Sequence, residues 1–209
     1  MPHESTAEHW GSEAARAHAA HLGMWLFIST EVLLFAALFT TYGVYRSVYP
    51  EVWREAQAHM DVTLGTVNTV VLVTSSVLVA LAVHATREGR PGTGGALLGL
   101  AALLGVTFLV LKGVEYAGHA REGGLPGEWY RLEALPKPGA SLFFSLYYLL
   151  TGLHAVHVTL GVGVLTVLAV RAAAGGFSAS DHTPLELGGM YWHLVDVIWL
   201  FVYPILYLS

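Results

Sequence analysis

The sequence predicts an all-α integral membrane protein that forms a single bundle of five transmembrane helices. Of its 209 residues, 55% are hydrophobic and only 12% are charged, whereas a soluble domain carries about 25% charged residues. A helix needs about 20 apolar residues to cross the hydrocarbon core of a bilayer. Five stretches of the chain meet that length, and the segments between them are too short for a second domain. The predicted spans are residues 21–45, 64–84, 94–114, 142–170 and 187–208.

Residues 1–20 are predicted to form a polar N-terminal arm, and residues 21–209 the five-helix transmembrane domain. The arm carries Glu4, Glu8 and Glu13 and has no apolar run behind a basic start, so it does not resemble a cleavable signal peptide. Lysines and arginines are divided almost evenly between the two ends of the predicted spans. Their distribution therefore does not predict the orientation of the chain in the membrane.

The composition excludes several kinds of site and partner. The chain has no cysteine and 11 histidines, which rules out disulfides, thiolate metal sites, iron–sulfur clusters and c-type haem attachment. The net charge of −5, without a basic cluster, argues against nucleic acid as a partner, because binding requires cations that neutralise phosphates.

Glu31 is an acidic residue inside the first predicted span, in the segment GMWLFISTEVLLFAALF. Within one helical turn only Thr30 and Ser29 offer polar groups, so we expect its partner on another helix or another chain. An ionisable group in hydrocarbon is costly unless it faces protein or water. Glu31 is therefore either a proton-handling carboxyl or a neutral acid that donates one interhelical hydrogen bond.

His154 and His157 lie three residues apart in the fourth predicted span, and hence on one face of that helix. Two histidines on one turn cannot ligate opposite sides of the same haem iron. A metal pair would need further ligands from facing helices. We predict instead that both histidines make polar contacts between helices, supported by Thr151 and Thr159.

Three further polar positions are predicted to make structural contacts. His193 and Asp196 share the three-residue spacing in the last span, where they could form an ion pair or contact a partner subunit. Asn68 belongs to a polar stripe on the second span, of the kind that hydrogen-bonds between membrane helices. Glu115 follows Lys112 at the end of the third span, where a charge pair can extend to the membrane interface. No residue is predicted to be catalytic or to bind a cofactor or metal.

Five segments of the chain, in order, resemble the short five-helix form of cytochrome c oxidase subunit III. The first is the Glu31 segment quoted above, and the second and third are VNTVVLVTSS and LKGVEY. The fourth, TGLHAVHVTLG, is similar to the family's Thr-Gly-x-His-x-x-His-Val block. The fifth, YWHLVDVIWLFVYPILYL, is similar to its closing Tyr-Trp-His-x-Val-Asp block.

The resemblance implies a non-catalytic subunit of a respiratory haem–copper oxidase of aa3 or caa3 type in a bacterial plasma membrane. Such a subunit carries no haem or copper, which reside in the partner subunits. It packs against subunit I beside the proton-uptake pathway, in a complex with subunit II and a small subunit IV. It sustains proton uptake and protects the catalytic subunit during turnover. The family places the N-terminus in the cytoplasm and the C-terminus outside.

The resemblance also assigns individual residues. Glu31 matches the family's carbodiimide-reactive buried glutamate, and His154, His157, His193 and Asp196 match polar positions of the two signature blocks. Family members hold structural phospholipid in a cleft among the surrounding membrane lipids. One wall of that cleft is formed by two N-terminal helices, which longer members carry and this sequence lacks.

Other functions remain open at this point. A quinol oxidase or a protein associated with nitric oxide reductase would share the same fold, because the electron donor binds other subunits. A di-haem membrane anchor would use histidines such as His21, His84, His154 and His193. A transporter would show inverted repeats and broken helices, and the sequence displays neither.

Overall fold

The computed structural model describes residues 13–133, 135, 139–178 and 182–208, and within these residues the chain is helical, without β-strands. Five of the helices are long and apolar enough to cross a membrane, which confirms the predicted all-α membrane fold. The elements are α1 (Glu13–Val48), α2 (Pro50–Gln57), α3 (Val62–Arg87), α4 (Pro91–Glu122), a 3₁₀ turn (Gly127–Trp129), α5 (Ala140–Ala173), α6 (Thr183–Tyr203) and a terminal π-helical turn (Pro204–Leu208).

Each predicted span lies inside one continuous helical stretch, and most of the helices extend past the predicted ends. The largest extensions are at α1, which begins at Glu13, and at α4, which ends at Glu122. Residues 13–20, expected to belong to the polar arm, are therefore part of the first membrane helix. Residues 1–12 of that arm lie outside the described residues.

Local sequence signals mark where several helices begin and end. The Asp61 side chain accepts a hydrogen bond from the backbone N–H of Leu64 at 2.9 Å, which caps the start of α3. Proline occupies the first turn of α2, α4 and α6, where a missing N–H costs nothing. Gly123 caps the end of helix α4, and its φ of +86° suits glycine. A Cβ there would also lie 2.8 Å from the backbone of Arg131.

The helices differ in how deeply they are buried. Helix α6 lies between α3 and α5 and is the most enclosed. In its most apolar stretch of 18 residues, 56% of the residues are buried, whereas in the corresponding stretch of α1 only 6% are buried. Close packing at the centre depends on glycine, because a Cβ at Gly161 of α5 would come within 2.6 Å of the Trp192 ring. Helix α1 thus lies at the edge of the bundle, against α6 and α5.

Candidate functional site

Glu31 and His157 form a hydrogen-bonded pair between α1 and α5. Nε2 of His157 lies 2.9 Å from Oε2 of Glu31, and their side chains are only 10% and 15% exposed. The other ring nitrogen, Nδ1, lies 2.8 Å from the carbonyl oxygen of Leu153. Because a carbonyl only accepts, Nδ1 carries a proton. A single further proton then lies between Nε2 and the carboxyl group, and the two side chains share it.

The surroundings hold His157 in place. The ring of Phe35 packs against the imidazole edge with a centroid distance of 5.5 Å. The hydroxyl of Tyr191 on α6 donates to the backbone carbonyl of His157 at 3.0 Å. Three helices therefore meet at this pair. Since α1 is the outermost of them, the carboxyl lies close to the surface that faces lipid or another subunit.

His154, one turn away on the same helix, has a different environment. It is fully buried, with its ring 5.5 Å from Phe108 and 5.2 Å from Trp199 between centroids. Neither of its ring nitrogens has a hydrogen-bond partner among the described residues, and the same is true of both amide atoms of buried Asn68. The polar contacts predicted for these two residues are thus not found within the described part of the chain.

Glu115 lies in a buried cluster rather than at the membrane interface. Its carboxylate is 3.0 Å from Nζ of Lys112, and the two side chains are 2% and 3% exposed. Nζ also donates to the hydroxyls of Tyr147 at 3.1 Å and Tyr207 at 2.8 Å. Both hydroxyls in turn donate to the second oxygen of Glu115. The expectation that the charge pair extends to the interface is wrong, because α5 and the terminal turn cover it.

We refer to Lys112, Glu115, Tyr147 and Tyr207 as the lysine cluster. Sequence reasoning did not predict three of its members, Lys112 and the two tyrosines, as site residues. The available signal was a lysine and a glutamate three residues apart within one long helix. The tyrosines come from other helices, and no spacing rule connects them to this pair.

His193 has its hydrogen-bond partner on another helix. Nδ1 of His193 is 2.6 Å from Oγ of Ser76 on α3. No direct bond joins the histidine to the aspartate within the described residues, so of the two expected contacts the ion pair is not observed, and contact with a partner subunit stays a prediction. Oδ1 of Asp196 is buried without a partner in that part of the chain.

A second cluster, also missed from the sequence, lies where α1, α3 and α6 reach the same end of the bundle. Glu186 pairs with Arg87, and its carboxylate oxygens lie 3.3 Å from Nε2 of His21 and 3.0 Å from Nε2 of His182. Polar residues at helix ends usually face solvent, so their spacing gave no sign of this contact. Among the described residues, no group of three or more histidine, cysteine, aspartate and glutamate side chains is arranged to hold a metal ion.

Comparison with known proteins gives matches along nearly the whole chain. Residues 3–122 and 132–209 match the sequence profile of the family described as cytochrome c oxidase subunit III. The cytochrome c oxidase subunit 3 of Synechocystis sp. is 32% identical over 200 residues, covering 93% of this chain and 79% of that protein.

Two other relatives differ in the oxidase they belong to. The quinol oxidase subunit 3 of Bacillus subtilis is 28% identical, covering 97% of this chain and 96% of its own length. The heme-copper oxidase subunit I+III of Aeropyrum pernix is 30% identical over 96% of this chain, which corresponds to 24% of that longer protein.

Proposed function

The chain belongs to the cytochrome c oxidase subunit III family, and we propose that it is the non-catalytic subunit III of a bacterial respiratory oxidase. The family consists of subunits of haem–copper oxidases, which are oxidoreductases, and the five apolar helices make this chain a multi-pass membrane protein. We propose a complex of aa3 or caa3 type that accepts electrons from cytochrome c. The first relatives, named as cytochrome c oxidase subunits, support that choice of donor.

Subunit I is the proposed direct partner, with subunit II and a small subunit IV in the same complex. The Aeropyrum pernix relative supports the first assignment because its name joins subunits I and III in one polypeptide. A fusion keeps two segments at high effective concentration, which suits two subunits that pack together. We propose that the N-terminus faces the cytoplasm and the C-terminus the outside, and that lipids, including structural phospholipid, surround the bundle.

Haem and copper belong to the partner subunits in this proposal. The histidines that an anchor for two haems would use have separate environments in the described residues. His21 contacts Glu186, His84 contacts Glu88 and His193 contacts Ser76. His154 is enclosed by aromatic rings. A pyridine haemochrome spectrum of the isolated chain tests this assignment, and haem bound at stoichiometric level would overturn it.

The observation that carries the functional proposal is the Glu31–His157 pair. It is a proton-holding pair at the edge of the bundle, on the helix that is least covered by the rest of the chain. A carboxyl in that position can exchange a proton with a neighbouring subunit more readily than one in the core. We propose that the pair supports proton uptake by the catalytic subunit and thereby its stability during turnover.

The test begins with affinity purification of the chain in mild detergent. Co-purifying subunits and the optical spectrum of the complex identify the partner and the haem type.

The variant Glu31→Gln retains hydrogen bonding but removes the titratable proton, so we expect normal assembly with a shortened catalytic lifetime and slower proton uptake. Thr30→Val is the matched control, because the only partner of the Thr30 hydroxyl among the described residues is the carbonyl of Phe27 in its own helix. Unchanged lifetime and uptake in Glu31→Gln would contradict the proton-handling role.

A quinol oxidase is the second candidate, favoured by the near-complete overlap with the Bacillus subtilis quinol oxidase subunit. The two candidates differ in the electron donor and in subunit II, not in this chain. Oxygen consumption by the purified complex, measured with reduced cytochrome c and with a quinol in parallel, separates them. A copper-binding cysteine pair in the co-purifying subunit II would favour cytochrome c.

A further inference from the structure

A groove of about 340 Å³ lies where the end of α1 meets α2. Each helix contributes one of its faces, because the lining residues of each helix are three or four positions apart. The lining consists of Gly43, Arg46 and Ser47 from α1, and of Pro50, Arg54 and Gln57 from α2. Cavities of this size are typical of sites for small ligands. Both walls therefore belong to this chain, and the groove needs no other subunit to form.

The floor of the groove is held by hydrogen bonds between three segments of the chain. Gln57 is only 7% exposed, and its amide nitrogen donates to the carbonyl of Ile205 at 2.9 Å and to the hydroxyl of Tyr42 at 3.2 Å. The Tyr42 hydroxyl donates to the same carbonyl at 3.1 Å. The Tyr42 ring also packs against Trp53 of α2, with a centroid distance of 5.8 Å. These contacts fix the angle between α1 and α2, and with it the shape of the groove.

The charged groups that line the groove are two arginines. Within the described part of the chain, neither Arg46 nor Arg54 makes a hydrogen bond or an ion pair with another residue. Helix α2 also carries Glu51 and Glu55, but their positions place them on the neighbouring face of the helix, and neither lines the groove. A guanidinium group can bind a phosphate through two parallel hydrogen bonds. The groove is therefore suited to a phosphate-bearing anion.

The position of the groove favours a lipid phosphate over a soluble one. The apolar run of the first span ends at residue 45, and Arg46 follows it directly, so the arginines lie at the level of the lipid headgroups. Towards the membrane centre, the same side of α1 continues through Thr40, Ala36 and Leu33, all of which are exposed. An amphiphile can place its phosphate at the arginines and its acyl chains along this side of α1. A soluble anion would use only the first of these two contacts.

We propose that the groove binds the phosphodiester headgroup of an anionic phospholipid, with Arg46 and Arg54 as its phosphate ligands. An anionic headgroup matches two cations better than a zwitterionic one, whose own ammonium group would face a like charge. The inference rests on the proposed function for the structural phospholipid that surrounds the bundle, and it gives that lipid a place and a headgroup class. The two N-terminal helices that longer family members carry take no part in it.

Lipid titration of the affinity-purified complex in mild detergent tests the proposal. Dioleoylphosphatidylglycerol is the anionic probe and dioleoylphosphatidylcholine the zwitterionic one, and native mass spectrometry counts the lipids bound to each complex. Arg46→Gln and Arg54→Gln each remove a charge-assisted contact, so each should weaken the binding of one phosphatidylglycerol per complex by about tenfold. The binding of phosphatidylcholine should not change. Added inorganic phosphate should not displace the phosphatidylglycerol.

The matched control is Arg121→Gln, which removes the same charge outside the groove. Arg121 is exposed at the end of the third span, on the same side of the membrane as the end of the first. It lines a separate hollow together with Glu122 and Glu133. We expect this variant to bind phosphatidylglycerol as the native complex does.

Gly43→Leu is a second test that keeps both arginines. A Cβ at Gly43 would meet no atom within 4 Å, so the substitution fills the groove without disturbing the helix packing. It should weaken phosphatidylglycerol binding as the arginine variants do. The haem spectrum and the subunit stoichiometry, recorded on every variant, verify that assembly is intact.

Three results would overturn the proposal. Equal weakening by Arg121→Gln would show that the lipid responds to surface charge in general. Unchanged phosphatidylglycerol binding in both arginine variants would show that the groove does not hold the headgroup. Displacement of the lipid by inorganic phosphate would make a soluble anion the ligand. If no oxidase subunit co-purifies, the proposed function fails, whereas titration of the chain itself still tests the groove.

Discussion

Two acidic residues inside the spans, Glu115 and Glu31, have opposite surroundings. Among the described residues every donor of the lysine cluster is used, because Nζ of Lys112 makes three hydrogen bonds and both tyrosine hydroxyls donate to Glu115. Glu31 makes one interhelical bond in that part of the chain, to His157, at the exposed edge of the bundle. The buried cluster has no donor left for a new partner, whereas the carboxyl of Glu31 at the edge of the bundle can accept one. The difference indicates a structural role for Glu115 and a role in proton exchange for Glu31.

The largest effect is expected from Glu115→Leu. This variant leaves the Lys112 ammonium buried without a counter-charge, and breaking a buried pair in this way typically costs roughly 3–5 kcal/mol. We expect a corresponding fall in the free energy of unfolding, measured by denaturant titration in mild detergent. The double variant Lys112→Met with Glu115→Leu removes both charges and should recover more than half of that loss. A double variant as unstable as the single one would show that the charge pair is not what the cluster depends on.

A smaller effect is expected from Tyr207→Phe, which removes one hydroxyl from the lysine cluster. That hydroxyl accepts from Lys112 at 2.8 Å and donates to Glu115, and hydrogen bonds to charged groups contribute about 1.5–3 kcal/mol each. We predict a loss of about 2 kcal/mol in the same titration, a net value within that range. Tyr203→Phe is the control, since its hydroxyl bonds Thr66 at an exposed position. Equal losses in both variants would indicate that the cluster adds nothing beyond ordinary tyrosine packing.

The smallest effect on stability is expected from Glu31→Gln. Because Nδ1 of His157 donates to Leu153, Nε2 can accept from the glutamine amide, and the interhelical bond survives in neutral form. The change in unfolding free energy should stay below about 1 kcal/mol, even though catalytic lifetime falls. The matched variant Glu115→Gln should be more destabilising, since it removes the charge that offsets Lys112. Equal destabilisation by the two glutamine variants would contradict the proposed difference between the lysine cluster and the Glu31–His157 pair.

The fold was predictable because membrane insertion depends on the length of an apolar run, which is written directly in the chain. The helix ends were less predictable, because the polar residues 13–20 are helical and form the start of α1. For the candidate site, sequence reasoning identified the residues but not their partners. It expected Glu31 to bond another helix or chain without identifying His157. It expected His193 either to pair with Asp196 or to contact a partner subunit, whereas the observed partner of His193 is Ser76 on α3.

The sequence by itself determined that five helices cross the membrane, that thiolate chemistry is excluded and that a carboxyl and several histidines lie within apolar helices. Only the tertiary structure decided which of these groups are enclosed and which are accessible. Lys112 and Glu115 share a helix, and their spacing is compatible with an exposed pair or a buried one. The covering tyrosines come from α5 and from the end of the chain. Hydrogen bonds between distant segments depend on how the helices pack, and helical periodicity carries no information about that packing.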